Sequence, residues 1–193
     1  MKKRVGILAL QGDFEAHSKA LERAGAEPVL VRTAEDLKSI DGLVIPGGES
    51  TTMLKLLNFM DLKDPVREFA REKPVFGTCA GAILLAKEVR NPEQESFGLI
   101  DLTVERNGYG RQIDSRVANI HPGSEFEKRA GGGDVEAVFI RAPVIRRTGP
   151  GVSVLAQYEG DPVLVEQGRH LVATFHPELT QDSRVHRLFL SKL

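Results

Sequence analysis

Cysteine is nearly absent from this chain. The one thiol, Cys79, excludes an internal disulfide framework and suits a reducing, cytoplasmic setting. Net charge is also small, −1 formally, so there is no electrostatic footprint for nucleic acid or an anionic membrane. No apolar run approaches the roughly 20 residues that cross a bilayer. The start, Met-Lys-Lys-Arg followed by Val5–Leu10, has the outline of a signal peptide, but its apolar part stops at Gln11-Gly12-Asp13 without a cleavage-like site and reads as a first strand. Repeats, linkers and low-complexity tracts are missing. So are a dinucleotide fingerprint around Gly6 and Gly12, a Walker-type lysine, and any His/Cys/carboxylate cluster at ligand spacing, so neither cofactor nor metal is expected.

What is present is the profile of an ordinary globular protein: 193 residues, 41% hydrophobic and 27% charged, enough for one domain spanning 1–193. Val5–Leu10 is a continuous apolar run, as in a strand buried on both faces. A helix follows over Phe14–Ala24, stopped by Gly25, then strands at Pro28–Val31 and Gly42–Ile45 with a short capped helix at 33–37 between them. Ser50 or Thr51 caps the next helix, Asp64-Pro65 opens another, and Pro74–Phe76 is a fourth strand. Strands alternating with helices predict an α/β fold with a mostly parallel sheet and its ligand at the strands' carboxyl ends, where Gln11, Gly47–Ser50 and Cys79 should converge. The second half is different. Short β-branched runs at 99–105, 117–120, 135–140, 152–158 and 163–166, separated by glycines, predict antiparallel strands added beside that sheet, and Ser183–Leu193 a closing helix. Its last three residues, Ser-Lys-Leu, match a peroxisomal address, more readily by chance than by design.

Gly77-Thr-Cys79-Ala-Gly81 links a strand to an apolar helical stretch and has the form of a nucleophile elbow with cysteine in place of serine. The glycines would allow close backbone approach, the helix dipole favours a thiolate, and the Ala80 N–H is placed for an oxyanion. Alone, the pattern equally suits a small buried residue at a tight junction. Late in the chain the apolar run Leu171–Phe175 ends in His176-Pro-Glu178. In extended geometry the imidazole and carboxylate lie on one side, a base with its orienting acid. Ahead of both in the chain, Gly47-Gly48-Glu49-Ser50 follows a buried strand. Its freed N–H groups suit an oxyanion, and Glu49 and Ser50 suit a substrate amine, although a glycine turn with an N-cap explains it as well. His17, His121, His170 and His186 have weaker claims.

Together these stretches resemble the class I triad glutamine amidotransferases. Leu8-Ala-Leu-Gln-Gly12, Pro46–Thr52, Val104–Asn107, Tyr109–Gln112 and Phe139–Pro143 narrow the resemblance to the glutaminase subunits of ribose-phosphate-dependent pyridoxal 5′-phosphate synthases, over about Val5 to Phe189. The resemblance implies a single-domain, three-layer, flavodoxin-like fold and hydrolysis of L-glutamine to glutamate and ammonia, passed to a synthase subunit within a large hetero-oligomer. It implies Cys79 as nucleophile, His176 as base and Glu178 as orienting acid. Gly48 and Ala80 would bind the oxyanion; Gly48, Glu49, Ser50, Arg106, Ile140 and Arg141 would hold glutamine; and Gln11 would order the oxyanion loop when the partner docks. Other readings are an amidotransferase serving another acceptor, a non-hydrolytic stress or redox protein with an oxidisable Cys79, and a silent binding module. The last two leave His176-Pro-Glu178 unexplained.

Overall fold

In the computed structural model, residues 2–107 and 115–193 are described, and the Tyr109–Gln112 stretch lies outside them. In chain order the first half runs β1 (Arg4–Leu8), α1 (Phe14–Ala24), β2 (Glu27–Val31), a 3₁₀ turn (Asp36–Ser39), β3 (Gly42–Ile45), α2 (Ser50–Phe59), α3 (Lys63–Glu72), β4 (Val75–Thr78) and α4 (Ala80–Leu85). The second half runs β5 (Ala86–Arg90), β6 (Ile100–Glu105), β7 (Arg116–Ile120), α5 (Ser124–Ala130), β8 (Val135–Phe139), β9 (Val144–Thr148), β10 (Ser153–Tyr158), β11 (Asp161–Gln167), β12 (His170–Ala173), a 3₁₀ turn (Pro177–Leu179) and α6 (Arg184–Leu190).

The main sheet has seven strands in the order β10-β11-β12-β4-β3-β1-β2. From β12 to β2 every pairing is parallel, and β11 and β10 extend the sheet antiparallel. The continuous apolar runs make sense here, because successive side chains serve opposite cores. Leu8, Leu43, Ile45 and Val75 pack with α2 and α3 on one face, while Ile7, Val44 and Phe76 pack with α1, α5 and α6 on the other. Chain order reverses between β1 and β3, the switch point beside which open α/β sheets place their ligands.

Several expectations change. The α2 cap is Glu49, whose carboxylate accepts the Thr51 and Thr52 N–H groups, so Ser50 and Thr51 are already helical. The apolar stretch after Cys79 stays helical only to Leu85; from Ala86 the chain is a strand, paired parallel with β6 and leading to a second, three-stranded sheet, β5-β6-β9. β7 and β8 form a separate antiparallel pair. The glycine-rich charged segment 124–134 contains a helix, α5, anchored by the buried Phe126.

Candidate active site

The elbow is as tight as its sequence predicts. Cys79 sits between β4 and α4 at φ 50°, ψ −104°, a strained conformation for a residue with a Cβ and one that marks functional turns. Its N–H donates to the Ala173 carbonyl at 3.0 Å, tying the elbow to the end of β12. A Cβ on Gly77 would lie 2.5 Å from the Gly81 oxygen, and one on Gly81 2.1 Å from the Ile45 oxygen, so neither position has room for a side chain. Ala80 is the first residue of α4, where N–H groups have no partner within the helix.

His176 arrives differently from the extended expectation. β12 stops at Ala173, the His176 N–H donates to the Val138 carbonyl at 2.8 Å, and Pro177 opens a 3₁₀ turn that folds Glu178 back towards the imidazole. The outcome is the pair expected, by another route: His176 Nδ1 lies 2.6 Å from Glu178 Oε1, with both side chains buried. Burial pulls the imidazole pKa down, but hydrogen bonds to Cys79 and Glu178 and their charges outweigh it, raising it to about 10. That favours the protonated imidazole at neutral pH. The Cys79 sulfur also lies 3.7 Å from the Ile140 carbonyl oxygen.

His17 has only a weak claim in the sequence, but the structure places it behind this pair. It is fully buried on α1, with Nε2 3.0 Å from Thr78 Oγ1 and 3.4 Å from Glu178 Oε2, and Nδ1 3.1 Å from His186 Nε2. Burial lowers the pKa of His17, and it brings that of His186 to about 3. On Glu178, burial pushes the carboxyl up, but His17 and the His176 hydrogen bond pull it below its usual value. The only advance signal was the spacing of His17 with Ala20 and Leu21 on the buried face of α1. His170 is structural, accepting the Val75 N–H, and the exposed His121 pairs with Asp134.

The ligand-facing half is assembled from loops. Gly47 packs so closely that a Cβ would lie 2.4 Å from His176 Cε1 and 3.4 Å from Cys79 Cβ. Gly48 is at φ 146° against the Gln11 amide, whose Oε1 accepts the Glu49 N–H at 3.0 Å. Glu49 also accepts the Thr52 hydroxyl; burial opposes its ionisation, but these bonds prevail and hold its pKa at about 2. Arg106, just beyond β6, donates to Thr51 Oγ1 at 3.0 Å and Glu49 Oε1 at 3.3 Å. Ser50 is buried, its hydroxyl directed to Gln94 Oε1 at 2.9 Å. Ile140 follows β8 with its carbonyl at the nucleophile, and the exposed Arg141 follows at φ 46°. Gln11, Gly48, Glu49 and Arg106 thus form one connected group, Ile140 touches the nucleophile, and Ser50 faces a glutamine the sequence did not single out.

Sequence spacing showed no metal cluster, yet the fold brings ligand atoms of Asp13, His176 and Glu178 within 4.8 Å of one another. The Nδ1 of His176 is already committed to Glu178 there. Among the described residues no helix is long and apolar enough to cross a membrane.

Residues 7–193 match the SNO glutamine amidotransferase family. The chain is 69% identical over 191 residues to the pyridoxal 5′-phosphate synthase subunit PdxT of Solibacter usitatus, covering 99% of this chain and 100% of that one. It is 49% identical to the PdxT of Thermotoga maritima, covering 97% of each. Among solved structures, one described as a glutamine amidotransferase superposes with a TM-score of 0.88 at 49% identity, over 97% of each chain. The PurLQS structure from Thermotoga maritima shares the fold, with a TM-score of 0.69 at 17% identity over 99% of each chain.

Proposed function

The chain belongs to the SNO glutamine amidotransferase family, and from that membership we propose that Cys79, His176 and Glu178 hydrolyse L-glutamine for a pyridoxal 5′-phosphate synthase. The protein is a glutaminase that releases glutamate and ammonia, and its relatives carry the name of the subunit PdxT of that synthase. What carries the site assignment is the buried His176–Glu178 contact of 2.6 Å beside the strained cysteine elbow. In the first step the Cys79 thiol passes its proton to His176, the sulfur attacks the side-chain amide carbon, and the oxygen becomes an oxyanion facing the N–H groups of Ala80 and Gly48. The tetrahedral adduct collapses as His176 gives its proton to the departing nitrogen, leaving a γ-glutamyl thioester and ammonia. His176 then takes a proton from water, whose oxygen attacks the thioester, and glutamate leaves as the sulfur is regained. Glu178 holds the imidazole in the right tautomer throughout.

Arg106 and Arg141 have the chemistry to pair with the α-carboxylate, and Glu49, Ser50 and the Ile140 carbonyl to meet the α-amine. Here Arg106 and Glu49 neutralise each other, so glutamine would exchange into an existing ion pair. Gln11 would couple Gly48 to docking of the synthase, within a large hetero-oligomer in the cytoplasm. A diazoketone analogue of glutamine tests the assignment: mapped by peptide mass, it should alkylate Cys79 in the wild type and nothing in Cys79→Ala. Labelling elsewhere, or none with the synthase bound, contradicts it.

A further inference from the structure

The buried network behind the triad has a hydrogen-bond pattern that can be deduced. Glu178 gives Oε1 to His176, and its Oε2, shielded from solvent, has no hydrogen-bond partner of good geometry among the described residues. The atom facing it is His17 Nε2, at 3.4 Å, which also lies 3.0 Å from Thr78 Oγ1. On the far side, His17 Nδ1 meets His186 Nε2 at 3.1 Å, and His186 Nδ1 is buried without a partner among the described residues. Two neutral histidines can be arranged along this line in two ways. If His17 donates from Nδ1, its Nε2 can only accept, from the Thr78 hydroxyl, so the buried carboxylate oxygen has no donor, and His186 is left with a buried N–H and no acceptor. If His186 donates from Nε2, His17 carries its proton on Nε2, and only a lone pair on His186 goes unmet. An orphaned N–H is the rarer and costlier defect, and a buried anion needs donors, so the second arrangement holds.

We propose that His17 is a positioning residue of this site: protonated on Nε2 and neutral, it holds Glu178 through Oε2 and thereby aims His176 at Cys79. Thr78, immediately before the nucleophile, shares the same N–H, so one imidazole on α1 braces both ends of the catalytic line. The edge-on packing of His17 and His186 around Phe76 fixes the ring planes. The groups facing His17 are Glu178 and Asp13, which favour its charge, and His176, which opposes it; His186 faces the same Glu178, with His17 and Arg23 opposing. Burial outweighs these influences and keeps both rings neutral. A metal-binding histidine is often fixed by a carboxylate behind it; here a histidine fixes the carboxylate behind a catalytic imidazole.

The inference rests on the triad assignment, and its test separates the two. The full chain with its synthase is assayed for glutamate release as wild type, His17→Leu, His17→Gln and Glu178→Gln. Loss of a supporting partner of this kind lowers activity about 10- to 100-fold; in His17→Leu it should fall in kcat with KM for glutamine little changed. His17→Gln, whose amide nitrogen reaches the place of Nε2, should recover most of the loss. Iodoacetamide capture of Cys79, profiled over time at neutral pH, should be slower in His17→Leu. Wild-type kcat and capture profile in His17→Leu overturn the proposal. Full activity in Glu178→Gln overturns the triad assignment instead. A readout independent of any variant is ¹⁵N NMR of histidine-labelled wild type, in which His17 should be protonated on Nε2; a proton on Nδ1 overturns the proposal even if His17→Leu does not fold.

Discussion

The two halves of the site are built differently. The catalytic half hangs from the carboxyl ends of β4 and β12, neighbours in a sheet whose central strands are buried on both faces. Its polar groups are sealed from water and stand at or just beyond buried strand ends. The ligand-facing half hangs from the loops after β1, β3, β6 and β8, and its charges have satisfied one another: Glu49 is spent on capping α2 and on Arg106, and the Gln11 amide occupies the space beside Gly48. On the proposed assignment, chemistry is prebuilt here, and recognition is held in a self-satisfied state that a ligand or partner would open. That division suits a glutaminase whose ammonia is useful only when an acceptor is present.

Breaking the catalytic half should have the largest effects. Glu178→Gln keeps the shape but offers His176 the wrong partner for its tautomer, and glutamate release should fall on the order of 10³- to 10⁴-fold. Gly47→Ala drives a Cβ into His176 Cε1, at 2.4 Å. A displacement of the base by about 1 Å costs roughly 10²-fold in rate, with circular dichroism unchanged. The recognition half should respond more gently and only in company: Gln11→Ala should lower synthase-stimulated activity while leaving Cys79 alkylation in the free chain as it was. Unchanged stimulation would remove the proposed coupling.

Electrostatics sharpens the contrast. The raised His176 pKa, about 10 against an ordinary value near 6.5, contributes stability that is present in full below about 6.5 and lost as pH rises towards 10. NMR titration of His176 should follow that midpoint in the wild type and a lower one in Cys79→Ala, where one of the groups raising it is gone. Glu49 has the opposite sign: its depressed pKa gives stability present above its ordinary carboxylate value and lost as pH falls towards 2. Glu49→Ala, which strips the α2 cap, should cost about 1 kcal/mol in urea denaturation, the smallest of these effects.

How much of this was legible follows the same divide. Strands at the centre of the sheet announce themselves because both faces are apolar, so 42–45 and 74–76 stand out, although the second runs on to Thr78, and the elbow lies in contiguous residues. β5 was hidden because Ala86–Arg90, exposed at Lys87, Glu88 and Arg90, continues an apolar helix without a break and becomes a strand only by pairing with distant β6. α5 was hidden because one side chain, Phe126, does all its burying. His176 and Glu178 were legible as a pair, although the 3₁₀ turn that joins them was not. His17 was legible as nothing more than a helix residue, since its role depends on Thr78, Glu178 and His186 meeting it across the fold.

The most direct test of the account is glutamate release from L-glutamine by wild type and Cys79→Ala, each with and without the pyridoxal 5′-phosphate synthase subunit. Activity that needs Cys79 and rises sharply when the synthase is added is the expected result. No Cys79-dependent release, with the synthase shown to bind, would contradict it.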